Sequence, residues 1–301
     1  MSLQAQNITK SFGKQKALDN VSFRIDSGDI VGFLGPNGAG KSTMMKIITG
    51  YQKQNAGEIF VNGMNTKTDM LNIRRQIGYL PEHNPLYTEM YIKEYLRYTA
   101  KLYGFSKKLN HRVERSIELT GLQREQHKKI KQLSKGYRQR TGLAAALIHE
   151  PDVLILDEPT TGLDPNQIIE IRNLIRNIGK EKTVFLSTHI MQEAEALCNR
   201  IIIINKGEIA ADRKSGELEN ASHKEALLRV QFEEAPQKSD LLKIEGVSDI
   251  EQNRDSFLIR YNPTVNMQKK VFEFAVNNHL IIYTLHKEKD SIENIFRTLT
   301  Q

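Results

Sequence analysis

The sequence of 301 residues contains a single cysteine, Cys198, and no apolar run near the roughly 20 residues that a membrane-spanning helix needs. One cysteine excludes an intrachain disulfide and any cysteine cluster for a metal, which is typical of a reducing compartment. We expect Cys198 to be a packed residue. The first residues lack the charged-then-apolar pattern of a signal peptide. We therefore expect a protein that is soluble in itself and reaches a membrane only through a partner.

The charge balance is basic, because 43 lysines and arginines outnumber 36 acidic residues and give a net charge of +7. Such an excess can indicate binding to nucleic acid or to an anionic membrane surface. Spread over the whole chain, it indicates only a mildly basic surface, and this is the interpretation that we prefer. The length and an apolar content of 39% predict one large or two modest domains with a sizeable core.

The segment from Gly35 to Thr43 has the pattern of a phosphate-binding loop, G-x-x-x-x-G-K-[ST]. It follows an apolar run, Ile30–Leu34, that predicts a buried strand, and it precedes the predicted start of a helix. Converging backbone N–H groups and the positive end of a helix dipole favour phosphate at such a loop. Lys41 can reach the β- and γ-phosphates, and the Ser42 hydroxyl can ligate Mg²⁺. The residues that we predict to hold the phosphates are Gly35, Pro36, Asn37, Gly38, Ala39, Gly40, Lys41, Ser42 and Thr43.

A second candidate site is formed by Asp157 and Glu158, which directly follow the apolar run Val153–Leu156. A continuous apolar run predicts a parallel strand buried on both faces, and open α/β sheets bind ligands beyond the carboxyl ends of such strands. Beside a phosphate loop, Asp157 is a candidate for the Mg²⁺ side of the site, and Glu158 is a candidate base for an attacking water. His189 follows another apolar strand, Thr183–Ser187, in a similar position.

Two stretches interrupt the α/β pattern. Between Tyr91 and Gly121, tyrosines and apolar residues recur at near-helical spacing, which predicts a helical insert with a stripe that either packs in a core or docks a partner. A basic segment, Lys128–Arg140, then leads into a helix predicted over Thr141–His149. Its charge is compatible with nucleic acid, but only Tyr137 offers a ring on which a base can stack.

Beyond about residue 215 the pattern becomes that of a smaller second unit. We predict strands at Ala226–Phe232, Val247–Gln252, Ser256–Tyr261 and Leu280–Leu285, helices at Val265–Asn278 and Ser291–Leu299, and a linker at Glu233–Ser239. The predicted organisation is therefore a larger α/β domain over residues 1–215 and a small α+β domain over 216–301.

Five motifs in a fixed order resemble those of ABC transporter ATPases. After the phosphate loop, Leu133–Gln139 (L-S-K-G-Y-R-Q) is similar to the family signature L-S-G-G-Q, and Leu154–Pro159 follows at the expected distance. Gly162–Pro165 is similar to the D-loop of the family, and His189 is similar to its switch histidine. The resemblance covers about residues 1–215. It implies a P-loop NTPase fold with a mixed core sheet, an antiparallel β-subdomain and a helical subdomain at about 83–150.

The resemblance also implies ATP hydrolysis with Mg²⁺ in a head-to-tail homodimer. Each ATP is expected between the phosphate loop of one copy and Ser134 and Gly136 of the other copy, with Phe12 stacked on adenine. The remaining implied roles are Mg²⁺ ligation by Ser42 and Glu82, water-mediated Mg²⁺ contact by Asp157, polarisation of water by Glu158, γ-phosphate sensing by His189 and coupling of the two sites by Asp164.

Three residues depart from the family pattern. Glu82 stands where the family usually has glutamine, so a ligand oxygen is kept but a negative charge is added near the γ-phosphate. Lys135 replaces the first glycine of the signature, while Gly136 is kept. Tyr137 replaces the usual glutamine. From the charge of Glu82 we expect altered rather than absent coupling, and Tyr137 is expected to change the details of the contact with the nucleotide of the other copy.

Within the family, the chain is similar to ATPases that power type-2 export permeases. Its length, its second domain and the segment Ile77–Tyr87 also resemble the ABC ATPases associated with bacterial gliding motility. This resemblance implies a peripheral protein at the cytoplasmic face of the membrane, with an integral membrane permease docking near Glu82–Tyr87 and the tyrosine-rich helices. No direct contact with nucleic acid is expected.

Two alternatives remain open. A nucleic-acid- or ribosome-associated ABC ATPase fits the basic charge, although such relatives usually carry two ATPase units or a long coiled-coil insert. A nucleotide-gated scaffold with little turnover is disfavoured by the presence of Glu158 and His189.

Overall fold

The structure is a computed structural model that describes residues 2–214, 226–254 and 256–288. These residues form two compact units, 2–214 and 226–288. The predicted domain boundary at residue 215 and the predicted helix Ser291–Leu299 lie outside the described residues and stay predictions. Within the described ranges, no helix combines the length and the apolar character needed to cross a bilayer.

The larger unit interleaves strands and helices. Its strands are β1 (Leu3–Phe12), β2 (Gln15–Ile25), β3 (Ile30–Leu34), β4 (Ala56–Val61), β5 (Met64–Asn65), β6 (Ile77–Leu80), β7 (Val153–Asp157), β8 (Thr183–Thr188), β9 (Arg200–Asn205) and β10 (Glu208–Lys214). Its α-helices are α1 (Lys41–Ile48), α2 (Met70–Gln76), α3 (Ile92–Leu102), α4 (Leu109–Leu119), α5 (Lys135–Leu147), α6 (Pro165–Ile178) and α7 (Met191–Leu197).

A mixed six-stranded sheet in the order β10-β9-β3-β8-β7-β6 forms the centre of this unit. The five strands from β9 to β6 pair in parallel, and β10 pairs antiparallel to β9. Every residue of β3, β7 and β8 is buried, as their continuous apolar runs predict. Because parallel strands end at the same edge of a sheet, the chain leaves β3, β7 and β8 at neighbouring points.

A second, antiparallel sheet in the order β2-β1-β4-β5 shares its core with the central sheet. Phe23 of this sheet packs on Phe33 and Phe185 of the central sheet, with ring centroids 5.8 and 5.3 Å apart. Burial of such rings contributes about 1.5–3 kcal/mol each, so this cluster is a major source of stability. The expected antiparallel β-subdomain and mixed core sheet are both confirmed.

Helices α3, α4 and α5 form a subdomain with a core of its own, which includes Ile92, Leu96, Val113 and Ala144. The predicted stripe is divided between two environments. Ile92 and Leu96 are fully buried, whereas Leu102 is 68% exposed. The apolar side of α3 is therefore core, and its tyrosine-rich side reaches the surface.

The predicted start of α5 at Thr141 is wrong, because the helix begins six residues earlier at Lys135. Ser134 caps this end, since its Oγ accepts a hydrogen bond from the N–H of Tyr137 at 3.4 Å. The basic residues after Ser134 have no apolar periodicity that could mark them as helical. Gly136 therefore lies inside the first helical turn and not before the helix.

The smaller unit is an α+β fold, as predicted. Its elements are β11 (Ala226–Phe232), α8 (Lys238–Leu241), β12 (Val247–Asn253), β13 (Ser256–Tyr261), α9 (Met267–Asn277) and β14 (Ile282–Glu288). The four strands pair in the order β12-β13-β11-β14, which with the element order β-α-β-β-α-β is a ferredoxin-like arrangement. The predicted linker Glu233–Ser239 is wrong at its end, where α8 begins.

Candidate functional site

The phosphate loop connects the end of β3 to the start of α1, as its sequence predicts. Gly38 and Gly40 have φ values of +82° and +109°, which L residues rarely adopt. A Cβ at Gly40 would also lie 2.5 Å from the carbonyl oxygen of Ala17. Glycine is therefore required at Gly40 by conformation and by space, and this lets the loop curl tightly around its N–H groups.

A cavity of about 400 Å³ opens over this loop. The residues that line it are Ala17, Asn37, Gly38, Gly40, Lys41, Ser42, Thr43, Glu82, Glu158, Thr161 and His189. The fold thus gathers residues from three strand ends and from the loop after β6 around one space. A cradle of loop N–H groups with a lysine beside it fits the phosphates of a nucleotide.

Lys41 is buried at the base of this cavity, with only 6% of the residue exposed. Its Nζ donates hydrogen bonds to the carbonyl oxygens of Gly35 at 2.8 Å and Pro36 at 3.2 Å. The same Nζ lies 3.3 Å from Oε1 of Glu158. These contacts hold the ammonium group at the loop, where it can neutralise phosphate charge.

Asp157 lies at the buried end of β7, between Ser42 and Ser187. The hydroxyl of Ser187 donates to Asp157 Oδ1 at 2.6 Å, and that of Ser42 donates to the same oxygen at 3.1 Å. Burial raises the pKa of Asp157, both serine hydrogen bonds lower it, and the charges of Glu82 and Glu158 raise it further. A cation beside these oxygens would offset the crowded negative charge.

The donor set fits Mg²⁺, which prefers oxygen ligands and keeps several waters. No cluster of three or more His, Cys, Asp or Glu side chains that could hold a metal occurs in the described part of the chain. A magnesium ion here would take the Ser42 hydroxyl and a Glu82 carboxylate oxygen as its ligands from the protein. Phosphate and water would supply the others.

Glu158 follows Asp157 with a strained backbone, because its φ of +50° is unusual for a residue with a side chain. Its N–H donates to Ser187 Oγ at 3.0 Å, and its carboxylate oxygen Oε2 lies 2.8 Å from Nδ1 of His189. Thr161 Oγ1 donates to the same carboxylate oxygen at 3.3 Å. The turn after β7 therefore directs Glu158 into the cavity and against His189.

Eight predicted residues do not line the cavity. Gly35, Pro36 and Ala39 belong to the phosphate loop itself and Asp157 contacts Ser42 of that loop, whereas Phe12, Ser134, Gly136 and Asp164 lie elsewhere. Phe12 lies at the end of β1, about half exposed, with Lys10 Nζ 5.1 Å from its ring centre. Ser134, Gly136 and Asp164 lie together at the starts of α5 and α6. Asp164 caps α6 by accepting from the N–H of Gln167 at 2.9 Å, and a Cβ on Gly136 would come within 2.8 Å of the Gln167 side chain.

Sequence reasoning missed three polar residues that support the site. Ser187 contacts both Asp157 and Glu158, and Thr161 contacts Glu158. Glu193 is buried, and its Oε2 accepts hydrogen bonds from the hydroxyls of Thr160 at 2.5 Å and Thr188 at 3.1 Å. Ser187 and Thr188 stand at the polar end of an apolar strand, and this pattern could have indicated them as site residues. No local sequence pattern indicates the role of Glu193.

Cys198 takes no part in the site. It is buried against Gly32, where a Cβ would lie 2.9 Å from the Cys198 sulfur. Burial raises the pKa of its thiol to about 12, so it is not a thiolate nucleophile near neutral pH.

In the central sheet, a buried strand leads through G-x-x-x-x-G-K-S into a helix, and a nearby parallel strand ends in Asp-Glu. This combination defines a P-loop nucleoside triphosphatase. A family model described as ABC transporter matches residues 18–161. The chain is 34% identical over 299 residues to the bacitracin transport ATP-binding protein BcrA of Bacillus licheniformis, covering 98% of this chain and 95% of that protein. The chain belongs to the ABC transporter family, as an ATP-binding subunit with the fold of its ATPases.

Other relatives agree with this assignment. ABC transporter ATP-binding protein NatA of Bacillus subtilis is 39% identical over 197 residues, which is 64% of this chain and 80% of NatA. A solved ATP-binding subunit of an ABC transporter is 32% identical with a TM-score of 0.66, covering 73% of this chain and 92% of that one. A dimeric ATP-binding cassette, solved in a post-hydrolysis state with ADP and Pi, is 28% identical with a TM-score of 0.65, covering 71% of this chain and 98% of its own. BcrA and NatA belong to the type-2 exporter-like branch, and a link to gliding motility stays a prediction.

Proposed function

We propose that this chain hydrolyses ATP as the motor of a type-2 exporter, at the cytoplasmic face of the membrane and coupled to a separate integral membrane permease. The observation that carries the proposal is the convergence of Lys41, Glu158 and His189 on one cavity over the phosphate loop, with Asp157 hydrogen-bonded to Ser42 of the cavity wall. This is the arrangement that phosphoryl transfer to water requires: phosphate binding, a magnesium side and a base.

Each of these side chains has one proposed task. Lys41 neutralises the β- and γ-phosphates, and Ser42 and Glu82 supply oxygen ligands to Mg²⁺, which polarises the phosphates. Asp157 orients that ion through water. Glu158 accepts a hydrogen bond from the attacking water and so polarises it. His189, whose Nδ1 lies 2.8 Å from Glu158 Oε2, senses the presence of the γ-phosphate.

Two copies are proposed to close head to tail around two ATP molecules. Ser134 and Gly136 do not line the cavity of their own chain, and this supports a role at the nucleotide of another copy. Gly136 has no side chain to block the approach of phosphate. Asp164 lies at the neighbouring helix start, where it can couple the two sites. Phe12 would complete the adenine end.

The proposed permease site is a groove of about 630 Å³ in the larger unit. Tyr51, Tyr79, Tyr95 and Leu102 line it, together with Pro85 of the predicted docking loop. The Tyr79 hydroxyl is buried there without a hydrogen-bond partner among the described residues. An apolar groove with an unused donor suits a short helix of a partner.

The basic segment gives little support to the nucleic-acid alternative, because acidic side chains neutralise several of its cations. Lys128 pairs with Glu125 at 2.7 Å and Lys131 with Glu89 at 2.9 Å. Arg140 pairs with Glu170. Cations that are already paired contribute less to phosphate binding.

The deciding experiment combines hydrolysis with capture of the partner. We expect the purified protein to hydrolyse Mg-ATP, and we expect a polytopic membrane protein to co-purify with it from native membranes. Leu102→Glu should reduce this co-purification and leave the basal ATPase rate unchanged. Leu119→Glu, an exposed leucine of α4 outside the groove, is the matched control and should retain the partner.

Failure of the wild-type protein to hydrolyse ATP would contradict the proposal. So would hydrolysis without any membrane partner, combined with salt-sensitive binding to RNA or DNA. A gliding-motility role would be tested separately, by the spreading of a deletion strain.

A further inference from the structure

Gln139 connects α5 to the peptide that follows Glu158. Its Nε2 donates a hydrogen bond to the carbonyl oxygen of Pro159 at 3.0 Å, in a partly buried position. Gln139 lies one turn after Gly136 on the same helix. The helix that carries the signature residues is therefore bonded directly to the turn that carries the proposed base of its own chain.

The turn at Glu158 depends on such outside contacts, because its backbone is strained at φ +50°. Ser187 Oγ, on β8, accepts a hydrogen bond from the Glu158 N–H. Glu193, on α7, accepts a hydrogen bond from the Thr160 hydroxyl. Gln139 supplies the contact from the α5 side. The three contacts surround Pro159 and fix where the Glu158 side chain leaves the backbone.

The start of α5 is itself held between two other segments. Asn84 of the predicted docking loop donates its Nδ2 hydrogen bond to the carbonyl oxygen of Arg138 at 3.4 Å. On the other side, Arg140 pairs with Glu170 of α6. Arg138 and Gln139, two consecutive residues of α5, thus contact the docking loop and the turn of residues 158–161, which is called the catalytic turn below. We therefore expect a displacement of α5 to move Pro159 through Gln139.

We propose that Gln139 is a positioning residue for Glu158, which makes the rate of hydrolysis depend on where the start of α5 lies. The proposal rests on the proposed function, because it assigns regulation to that site. When the start of α5 is seated against the nucleotide of the second copy, the Gln139 bond holds Glu158 in the hydrolytic position. When α5 moves, the bond is lost or the turn moves with it.

Two substitutions separate the hydrogen bond from the volume of the side chain. Gln139→Met keeps the length and removes the donor, whereas Gln139→Lys restores an N–H donor. The matched control is Gln126→Met, since Gln126 Nε2 also donates to a backbone carbonyl, that of Gln123 at 2.8 Å, away from the site. All variants are measured as purified full-length protein with Mg-ATP.

We expect Gln139→Met to lower kcat roughly tenfold, the effect of one lost hydrogen bond of about 1.4 kcal/mol in the transition state. KM for ATP and the melting temperature should stay at wild-type values. Gln139→Lys should recover part of kcat, and Gln126→Met should match the wild type. Two results would overturn the proposal. One is a wild-type kcat for Gln139→Met. The other is a loss of kcat that accompanies a lower melting temperature and that Gln139→Lys does not relieve.

A second measurement tests whether Gln139 acts on its own chain's base and not on the signature surface. In a Glu158→Gln background, adding Gln139→Met should leave the ATP concentration needed for dimer formation unchanged in size-exclusion chromatography. A large increase in that concentration would overturn the positioning role. A wild-type protein without ATPase activity would contradict the proposed function itself. Because the wild type is measured before any Gln139 variant, this failure is distinguished from failure of the positioning role.

Discussion

Lys41 Nζ lies 3.3 Å from Glu158 Oε1, and both side chains are almost fully buried, at 6% and 7% exposure. The pair links the phosphate loop to the end of β7. Breaking a buried ion pair by removing one partner costs about 3–5 kcal/mol, because the other charge is left uncompensated. Lys41 has two carbonyl oxygens as further partners, at Gly35 and Pro36, which soften this cost.

The substitution Glu158→Gln should abolish hydrolysis and retain ATP binding. Glutamine keeps the volume but cannot act as a base, whereas Lys41 remains at the loop to bind phosphate. The variant should accumulate as an ATP-locked dimer in size-exclusion chromatography. Glu181→Gln, an exposed acid outside the cavity, is the control. Hydrolysis by Glu158→Gln at the wild-type rate would remove Glu158 from the role of base.

Alanine should be far more damaging at Gly40 than at Gly38. Both residues have a positive φ, so each substitution strains the backbone by about 1–3 kcal/mol. Only at Gly40 does the new Cβ meet backbone, the Ala17 carbonyl oxygen at 2.5 Å, since nothing lies within 4 Å at Gly38. Thermal unfolding and ATP titration of both variants measure the difference. Equal losses at the two positions would contradict the steric argument.

Ser187→Ala should lower both stability and kcat. It removes the 2.6 Å hydrogen bond to Asp157 and leaves the Glu158 N–H without its acceptor, a cost of about 1–3 kcal/mol. Ser116→Ala is the matched control, because the buried Ser116 hydroxyl donates to the Ala144 carbonyl oxygen in the helical subdomain. We expect similar loss of stability in both variants but loss of ATPase activity only in Ser187→Ala. Normal activity in Ser187→Ala would separate Ser187 from the catalytic turn.

His149 should make the larger unit less stable in acid. Its pKa is lowered from 6.5 to about 4, mainly by burial and to a smaller extent by the charges of Lys182 and Arg112, against a hydrogen bond to the Ile77 carbonyl that raises it. As pH falls, the unfolded chain protonates this imidazole first. The contribution of neutral His149 is therefore complete above pH 6.5 and is lost as pH falls to about 4, a change of about 3 kcal/mol.

The variant His149→Phe tests this pH dependence, because phenylalanine can keep the stacking on Tyr103, whose ring centre is 3.9 Å away, without titrating. Because both proteins share all other titrating groups, comparing their thermal unfolding between about pH 7 and pH 4 isolates the contribution of His149. The wild type should lose more stability than the variant over this interval. Parallel curves would show that His149 titrates normally.

The phosphate loop and the strands beside it could be predicted because their signals are local. Ile30–Leu34 is a continuous apolar run ended by a glycine-rich turn, and the structure places β3 at these bounds. The start of α5 could not be predicted, because it depends on the cap at Ser134 and on packing against Gln167, and neither is visible in apolar periodicity. Glu193 lies 33 residues from Thr160, so its hydrogen bond depends on the fold.

The sequence by itself determined the identity of the motifs, the two kinds of sheet and the chemistry of Lys41, Asp157 and Glu158. Only the tertiary structure decided that β8 lies between β3 and β7, which brings Ser187 to both carboxyl residues and His189 to Glu158. The physical reason is that the order of strands in a sheet depends on how the apolar faces of the sheet and of the helices pack against each other. Motif spacing along the chain carries no record of which strand ends become neighbours.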